Sequence, residues 1–400
     1  LGRPRGSRLA AHRVAGTVLR EASEMTEKIS RFLAERRPET PCLVVDLDVI
    51  AENYLALKRA LPLADIFYAV KANPAAPILS LLSRLGSNFD AASIYEIESC
   101  VGLGIAPERL SYGSTIKKEA AIARAFEKGV RLFAFDSEAE LVKLARSAPG
   151  SRVFCRILME GKNADWPLSD KFGCDLGMAR DLLIESAQRG LVPWGISFHV
   201  GSQQRHIEQW DVALGKTAVI FSELNAAGIE LRMVNMGGGF PARYRPDIKP
   251  LDAYARGIMT AVTRHFGNRL PGLVIEPGRG IAGDAGIIQS EVVLISRKTY
   301  DAERRWVYLD VGRFGGLPEV IDEAIKYRIR TPRDGGPAGP VVMAGPTCDE
   351  VDMLYDKSGY ELPLDLAVGD RVEIMSAGAY TASYSSVGFN GFPPLREYYI

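Results

Sequence analysis

From residue 43 onward the chain alternates between short apolar, β-prone runs and longer stretches whose apolar positions recur at helical spacing. Eight runs read as strands: Ile66–Val70, Asn88–Ala92, Arg109–Tyr112, Arg131–Phe135, Arg152–Met159, Gly195–Val200, Met233–Met236 and Leu273–Glu276. Between them the spacing predicts helices over Ala75–Leu85, Ile94–Leu103, Lys117–Lys128, Glu138–Ala145, Met178–Arg189, Gln209–Ala227 and Leu251–Phe266. Asp136-Ser137 offers capping chemistry before the fourth helix, with acids in its first turn. Gly86, Gly104, Gly129, Gly190 and Gly228 stand where helices close. Strict strand–helix alternation implies right-handed crossovers and a parallel sheet. Eight repeats fit a (β/α)8 barrel closing near residue 280 better than a doubly wound sheet.

After about residue 285 the rhythm changes. Gln289–Ser296, Arg305–Leu309, Gly339–Met343 and Asp370–Met375 read as strands separated by Gly/Pro/Asp-rich loops, with one helical stretch over Pro318–Tyr327. The predicted division is a barrel over 43–280 and an all-β domain built from 25–42 and 281–400. The first 24 residues are rich in Arg, Ala and Gly, with only Glu21 and Glu24 as acids. Met25 reads as the natural start, and residues 1–24 as a disordered leader without function.

Composition narrows the class. Apolar content of 47% and charged content of 24% suit a globular enzyme. Forty-nine basic residues balance 49 acidic ones, which gives no support for nucleic-acid or anionic-membrane partners. No apolar run approaches the roughly 20 residues of a membrane span. The five cysteines (Cys42, Cys100, Cys155, Cys174, Cys348) are scattered, without a CxxC pair. That pattern predicts reduced thiols in the cytoplasm and neither a disulfide framework nor a zinc site.

Barrel enzymes carry their chemistry at the carboxyl ends of strands. Lys71 ends the first strand, Asp90 the second, and Arg156 lies on the fifth. His199-Val200-Gly201-Ser202, Gly237-Gly238-Gly239 and Glu276-Pro277-Gly278-Arg279 follow the sixth, seventh and eighth. One rim therefore collects residues spread over two hundred positions. An amine after an apolar strand is expected to be desolvated, with its pKa lowered so that it can condense with a carbonyl. The glycines make either a tight turn or a bare-backbone anion site, to which Arg279 can add charge. Glu276 pairs either with a basic residue or with a heteroaromatic nitrogen that it keeps protonated. Four histidines without ligand spacing predict no metal, and a flat His199 ring suits stacking better. In the β-domain, Cys348 lies between acids in a Gly/Pro loop, followed by Tyr380 and by Phe389-Asn390-Gly391-Phe392.

On Tyr68–Asn73, Ser197–Ser202, Gly237–Phe240, Glu276–Arg279, Gly345–Asp349 and Phe389–Phe392 the chain resembles the pyridoxal phosphate (PLP)-dependent basic amino-acid decarboxylases of the alanine-racemase-like fold, ornithine or lysine/ornithine decarboxylase in particular. The likeness spans roughly Pro41 to Phe392. It implies that Lys71 holds PLP covalently, Glu276 pairs with the pyridine nitrogen and His199 stacks on the ring. Ser202, the Gly237–Gly239 loop, Arg279 and Tyr380 would bind the phosphate, and Asp90 and Arg156 would support the pocket. The resemblance further implies an obligate homodimer with shared active sites. Cys348, as proton donor, and Asp349, as ligand of the substrate's distal ammonium, would come from the other subunit. Lys171 would pair with Asp352 across the interface.

Asp349 and a second acid from Asp322-Glu323 favour a small basic amino acid, ornithine first and lysine second. The loop after His199, Gly201-Ser202-Gln203-Gln204-Arg205, is expected near the tail of the substrate side chain. The alternatives are a diaminopimelate or carboxynorspermidine decarboxylase and, in another class, a catalytically inactive regulatory homologue.

Overall fold

Asp46 marks the point where the chain leaves a sheet and enters a barrel. The computed structural model describes residues 25–159, 164–166 and 170–400, so the expected leader over 1–24 lies outside the described residues. Thr26 caps helix α1 (Glu27–Arg36), which leads into strand β1 (Cys42–Val45). Asp46 ends that strand and caps helix α2 (Leu47–Ala60), accepting from Asp48 N–H at 3.0 Å and from the Thr26 hydroxyl at 2.7 Å. Helix α2 buries Ile50, Tyr54 and Leu57, one stripe at spacings of four and three. Each such side chain contributes about 1.5–3 kcal/mol on burial.

The next strands are β2 (Ala64–Ala69), β3 (Asn88–Ala91), β4 (Leu110–Tyr112), β5 (Leu132–Phe135), β6 (Arg152–Arg156), β7 (Ala164–Trp166), β8 (Val192–Ser197), β9 (Ser202–Gln204), β10 (Met233–Asn235) and β11 (Gly272–Ile275). The short β7 and β9 pair with each other, and the remaining eight close as a barrel in the order β2-β3-β4-β5-β6-β8-β10-β11. Every pair around it is parallel. These are the eight expected strands. Phe67, Leu132, Ala134, Phe154, Met233 and Val274 form an apolar cluster of their own. Strands β2 and β5 are not neighbours, so these side chains meet across the barrel interior, which is a packed core. Helix α2, absent from the expected set, completes the outer ring between helices Ala76–Arg84 and Leu251–Phe266.

Strands β12 (Gly286–Ser296), β13 (Arg305–Leu309), β14 (Ile329–Arg330), β15 (Ala338–Ala344), β16 (Met353–Tyr355), β17 (Glu361–Pro363), β18 (Arg371–Ile374) and β19 (Arg396–Tyr399) join β1 in a nine-stranded sheet. β1 lies between β12, antiparallel, and β19, parallel. Residues 43–45, expected in the barrel, therefore belong to the sheet. An apolar run of four reads the same in either setting, and only its long-range partners decide. The helix expected over Pro318–Tyr327 is instead a 3-10 turn at Pro318–Glu323, kinked where Ile321 is extended and Asp322 takes φ 50°.

Candidate active site

Lys71 sits in the turn Val70–Ala72 directly after β2. Three contacts fix that turn to the β-domain. Tyr380 N–H donates to Ala72 C=O at 2.8 Å, the Ser383 hydroxyl reaches Lys71 C=O at 3.2 Å, and the Asn73 amide reaches Gly378 C=O at 3.0 Å. The Lys71 ammonium lies 3.5 Å from Asp90, whose side chain is 3% exposed against 46% for the lysine. The lysine thus faces an open cleft, with its counter-charge embedded behind it. Asp90 is held in turn by the Ser111 hydroxyl at 2.9 Å. A side chain at Gly113 would overlap that carboxylate, which accounts for the glycine.

The expectation of a lowered Lys71 pKa is overturned. Burial pulls it down, but Asp90, Tyr380, Glu276 and Glu96 together hold it above the ordinary lysine value. Four acidic groups outweigh desolvation, so Lys71 is an ammonium across neutral pH. Glu96 stands there because it serves its own helix start. Ser93 accepts from Glu96 N–H at 3.2 Å, and the Glu96 carboxylate accepts from Ala92 N–H at 2.6 Å.

Glu276 follows β11. Burial, then the neighbouring Asp90 charge, raise its carboxyl to about 7. The Asn235 amide donates to it at 2.5 Å, and the Asn235 carbonyl oxygen accepts from Gly237 N–H at 3.0 Å. Asn235 thereby ties the carboxylate to the glycine loop, a role that no sequence signal marked. His199 follows β8 and accepts from Gly201 N–H at its Nδ1 (3.0 Å), which leaves the ring proton on Nε2. Burial, then Arg156 and Lys71, lower its pKa to about 3, so the ring is neutral. Arg156 ends β6, its guanidinium 5.0 Å from the Phe172 ring, with burial lowering its pKa.

Gly237 and Gly239 adopt φ of 64° and 98°, and each glycine of the triplet lies against backbone from a neighbouring loop. A Cβ at Gly238 would come within 2.8 Å of Glu276 C=O, and one at Gly239 within 2.8 Å of Gly201 C=O. The triplet is a bare cradle that any side chain would fill.

Arg279 is held in place by its protein neighbours. It is 4% exposed, and all five of its N–H groups are engaged. Two go to Glu319 at 2.6 Å each, one to the Tyr244 hydroxyl at 3.0 Å, and two to the single Ser202 oxygen at 3.2 Å. The Tyr380 ring lies 4.7 Å from the same guanidinium. Glu319 and Tyr244 escaped sequence reasoning because the first lies in the second domain and the second in a loop without a motif.

The β-domain residues fall into two groups. Cys348 and Asp349 are exposed, unlike the other four cysteines, which are buried. Asn390 accepts from Cys348 N–H at 2.9 Å, so the Phe389–Gly391 turn braces the cysteine loop. Asp322 is exposed, whereas Glu323 accepts from Asp356 and Lys357 N–H at 2.7 and 2.6 Å and is committed to a loop. Asp352 is buried and accepts from Arg313 N–H, Thr347 N–H and the Thr347 hydroxyl within its own chain. Lys171 is exposed beside the Phe172 ring. The chain by itself brings neither Cys348 nor Asp349 into hydrogen-bond contact with the Lys71 cluster among the described residues.

Within the loop Gly201–Arg205, two side chains turn inward. Both side chains are fully buried. Gln203 donates to Ala242 C=O and accepts from Ala242 N–H, while Gln204 donates to Val200 C=O and accepts from His206 N–H. They anchor the loop and do not face a substrate.

These parts suit PLP chemically: an amine for its aldehyde, a carboxyl titrating near neutrality for its ring nitrogen, a neutral ring for its face, and a hydroxyl with a backbone cradle for its phosphate. The family "Pyridoxal-dependent decarboxylase, pyridoxal binding domain" matches residues 47–283. The lysine/ornithine decarboxylase of Selenomonas ruminantium is 36% identical over 92% of this chain and 91% of its own. Among solved structures, SrLDC in complex with PLP and cadaverine superposes with a TM-score of 0.83 at 34% identity, covering 94% of this chain and 93% of that one. The Vibrio vulnificus lysine/ornithine decarboxylase complexed with cadaverine gives 0.84 at 28% identity over 94% and 99%.

Proposed function

Because the chain belongs to the pyridoxal-dependent decarboxylases and is itself a PLP enzyme, we propose that it converts L-ornithine to putrescine and, as a second substrate, L-lysine to cadaverine. The observation that carries this reading is the convergence of Lys71, Asp90, His199 and Glu276 on one barrel rim beside a glycine cradle. PLP supplies an electron sink for the pair released when the substrate carboxylate leaves.

The residues divide the work. Lys71 would hold the cofactor through its amine, which must first lose a proton against the pull of Asp90. Glu276, titrating at about 7, holds a proton at the ring nitrogen. His199 presents an uncharged face and adds no charge to the ring. Ser202, the Gly237–Gly239 backbone, Arg279 and Tyr380 would receive the phosphate.

Substrate choice rests on acids from two chains. We take the enzyme as a homodimer in which Cys348 of the partner subunit protonates the substrate α-carbon and Asp349 of the partner subunit binds the distal ammonium. The exposure of both residues and the bracing by Asn390 support this arrangement. Asp322 is the second acid for the ammonium, since Glu323 is spent on backbone N–H groups. The partner's Lys171 would approach the loop that Asp352 braces from within. Ornithine and lysine differ by one methylene, worth only about 1–3 kcal/mol in a pocket, so use of both follows. The reaction fits polyamine biosynthesis in the cytoplasm.

Turnover of ornithine, lysine, arginine and meso-diaminopimelate by PLP-loaded protein tests the proposal. Ornithine and lysine should dominate. A preference for diaminopimelate would overturn the substrate assignment, and absence of turnover with all four would leave a regulatory protein.

A further inference from the structure

Cys155 and Cys174 stand 19 positions apart, yet their sulfurs lie 3.6 Å from each other inside the protein, both as free thiols. Cys155 is on β6, one residue before Arg156, and Cys174 pairs with Ile157 just beyond the end of that strand. The backbone around Cys174 is pinned. Cys174 N–H donates to Arg156 C=O at 3.1 Å, and Leu158 N–H donates to Cys174 C=O at 2.9 Å. Gly173 N–H donates to the Asp136 carboxylate at 2.7 Å. Gly173 takes φ 94°, and a Cβ there would meet the Ile157 backbone at 2.8 Å. Phe172, next along, has the Arg156 guanidinium 5.0 Å from its ring. Cys155 is fully covered, whereas Cys174 keeps 6% of its exposure. Burial, then contact with Cys174, holds the Cys155 thiol well above its ordinary value. Cys174 is therefore the sulfur that a small oxidant meets first, and Cys155 the thiol that resolves it.

We propose that Cys155 and Cys174 are a peroxide-responsive dithiol, whose reversible disulfide fastens the Lys171–Cys174 segment to β6 beside Arg156. Hydrogen peroxide turns the Cys174 thiol into a sulfenic acid, its O–O bond breaking and one water leaving. The Cys155 sulfur then attacks the Cys174 sulfur, the S–O bond breaks, and a second water carries off the Cys155 proton. Two thiols thus lose two electrons and two protons, and one peroxide becomes two waters. The sulfurs close from 3.6 Å to about 2.05 Å. Gly173 has no room to yield against Ile157, so the movement falls on the two cysteines. A cross-link of this kind suppresses opening of the segment it pins. It gives the wall that carries Arg156 a response to oxidants separate from that of the exposed Cys348.

PLP-loaded protein is treated with hydrogen peroxide, quenched with catalase, unfolded, alkylated and peptide-mapped, with and without dithiothreitol. The expected product is a peptide pair joined through Cys155 and Cys174 that separates on reduction. Oxidation of Cys348 in the same sample reports that the peroxide acted. Amide hydrogen exchange over residues 170–175 should slow about tenfold in the oxidised protein and recover with dithiothreitol. Cys174→Ala should lose both the joined pair and the slowing, with its Cys155 alkylated in full after unfolding. Oxidation of Cys348 without the joined pair, or sulfinic acid at Cys174 in its place, would overturn the proposal. So would a joined pair with unchanged exchange over 170–175, or the same slowing in Cys174→Ala. If that variant does not fold, reversal in the parent decides alone: thiols at 155 and 174 that dithiothreitol fails to restore refute the pair.

Discussion

Replacing Asp90 with Asn tests the charge balance at Lys71. The two side chains stand 3.5 Å apart. At that distance a unit pair is worth about 1 kcal/mol in water and about 5 kcal/mol at an effective dielectric near 20. Asp90 is embedded, but the lysine side chain keeps 46% of its exposure, so solvent screening sets the value between those limits, at about 2–3 kcal/mol. That corresponds to about two pH units on Lys71, downward, because the variant removes the largest group favouring the ammonium. Tyr380, Glu276 and Glu96 remain, so the shift is partial. The assay is competitive acylation of the purified protein across pH, with Lys71 followed by peptide mass spectrometry. Asp90→Asn should also speed covalent capture of PLP at pH 7, since more of the amine is neutral there. A Lys71 titration at the same pH in parent and variant would refute the reasoning.

Further outcomes follow from the same geometry. Lys71→Ala should abolish turnover, and Cys348→Ala should release some aldehyde in place of diamine through misdirected protonation; an undiminished diamine yield would remove Cys348 from its role. Mixing those two variants should rebuild up to about a quarter of the intact sites, since half the dimers are mixed and each regains one of two sites; no gain in aldehyde-free diamine yield over Cys348→Ala alone after subunit exchange would argue against shared sites. Glu276 has a folded pKa of about 7 against 4.5 unfolded, so its contribution is fully present below pH 4.5 and is lost as pH rises through 7. Glu276→Gln should therefore gain roughly 3 kcal/mol on the parent between pH 4.5 and 8, and an unchanged difference in denaturant titrations would contradict this. His199 has a depressed pKa of about 3, so its contribution is present above pH 6.5 and lost as pH falls toward 3; His199→Phe should flatten that acid limb in the same titrations.

The barrel was legible because each of its strands is a short apolar run set off by helical spacing, and β2 to β11 lie where those runs do. Position on a strand end was enough to select Lys71, Asp90, His199 and Glu276 from one chain. What stayed hidden depends on partners far away in sequence. The sign of the Lys71 shift needed Asp90, Glu276, Glu96 and Tyr380 in space, and burial alone points the wrong way. Glu319 lies 40 residues beyond Arg279, in a different domain. The Gln203-Gln204 pair reads as a polar loop, yet both amides satisfy loop backbone that would otherwise be buried without partners. Four residues at 42–45 carry no mark of which sheet they join.

That last ambiguity has a kinetic side. Strand β1 emerges early in synthesis, but its neighbours β12 and β19 arrive some 240 and 350 residues later. Until then an apolar ribbon trails the barrel without hydrogen-bond partners, and a nascent chain in that state is open to chaperones or to self-association. Leu47 N–H donates to Ile400 C=O, and Ile400 N–H to Val45 C=O, so the closing strand also fixes the hinge into α2. Tyr399 reaches Asn73, two positions from Lys71. The closing strand thus also braces the segment that carries Lys71.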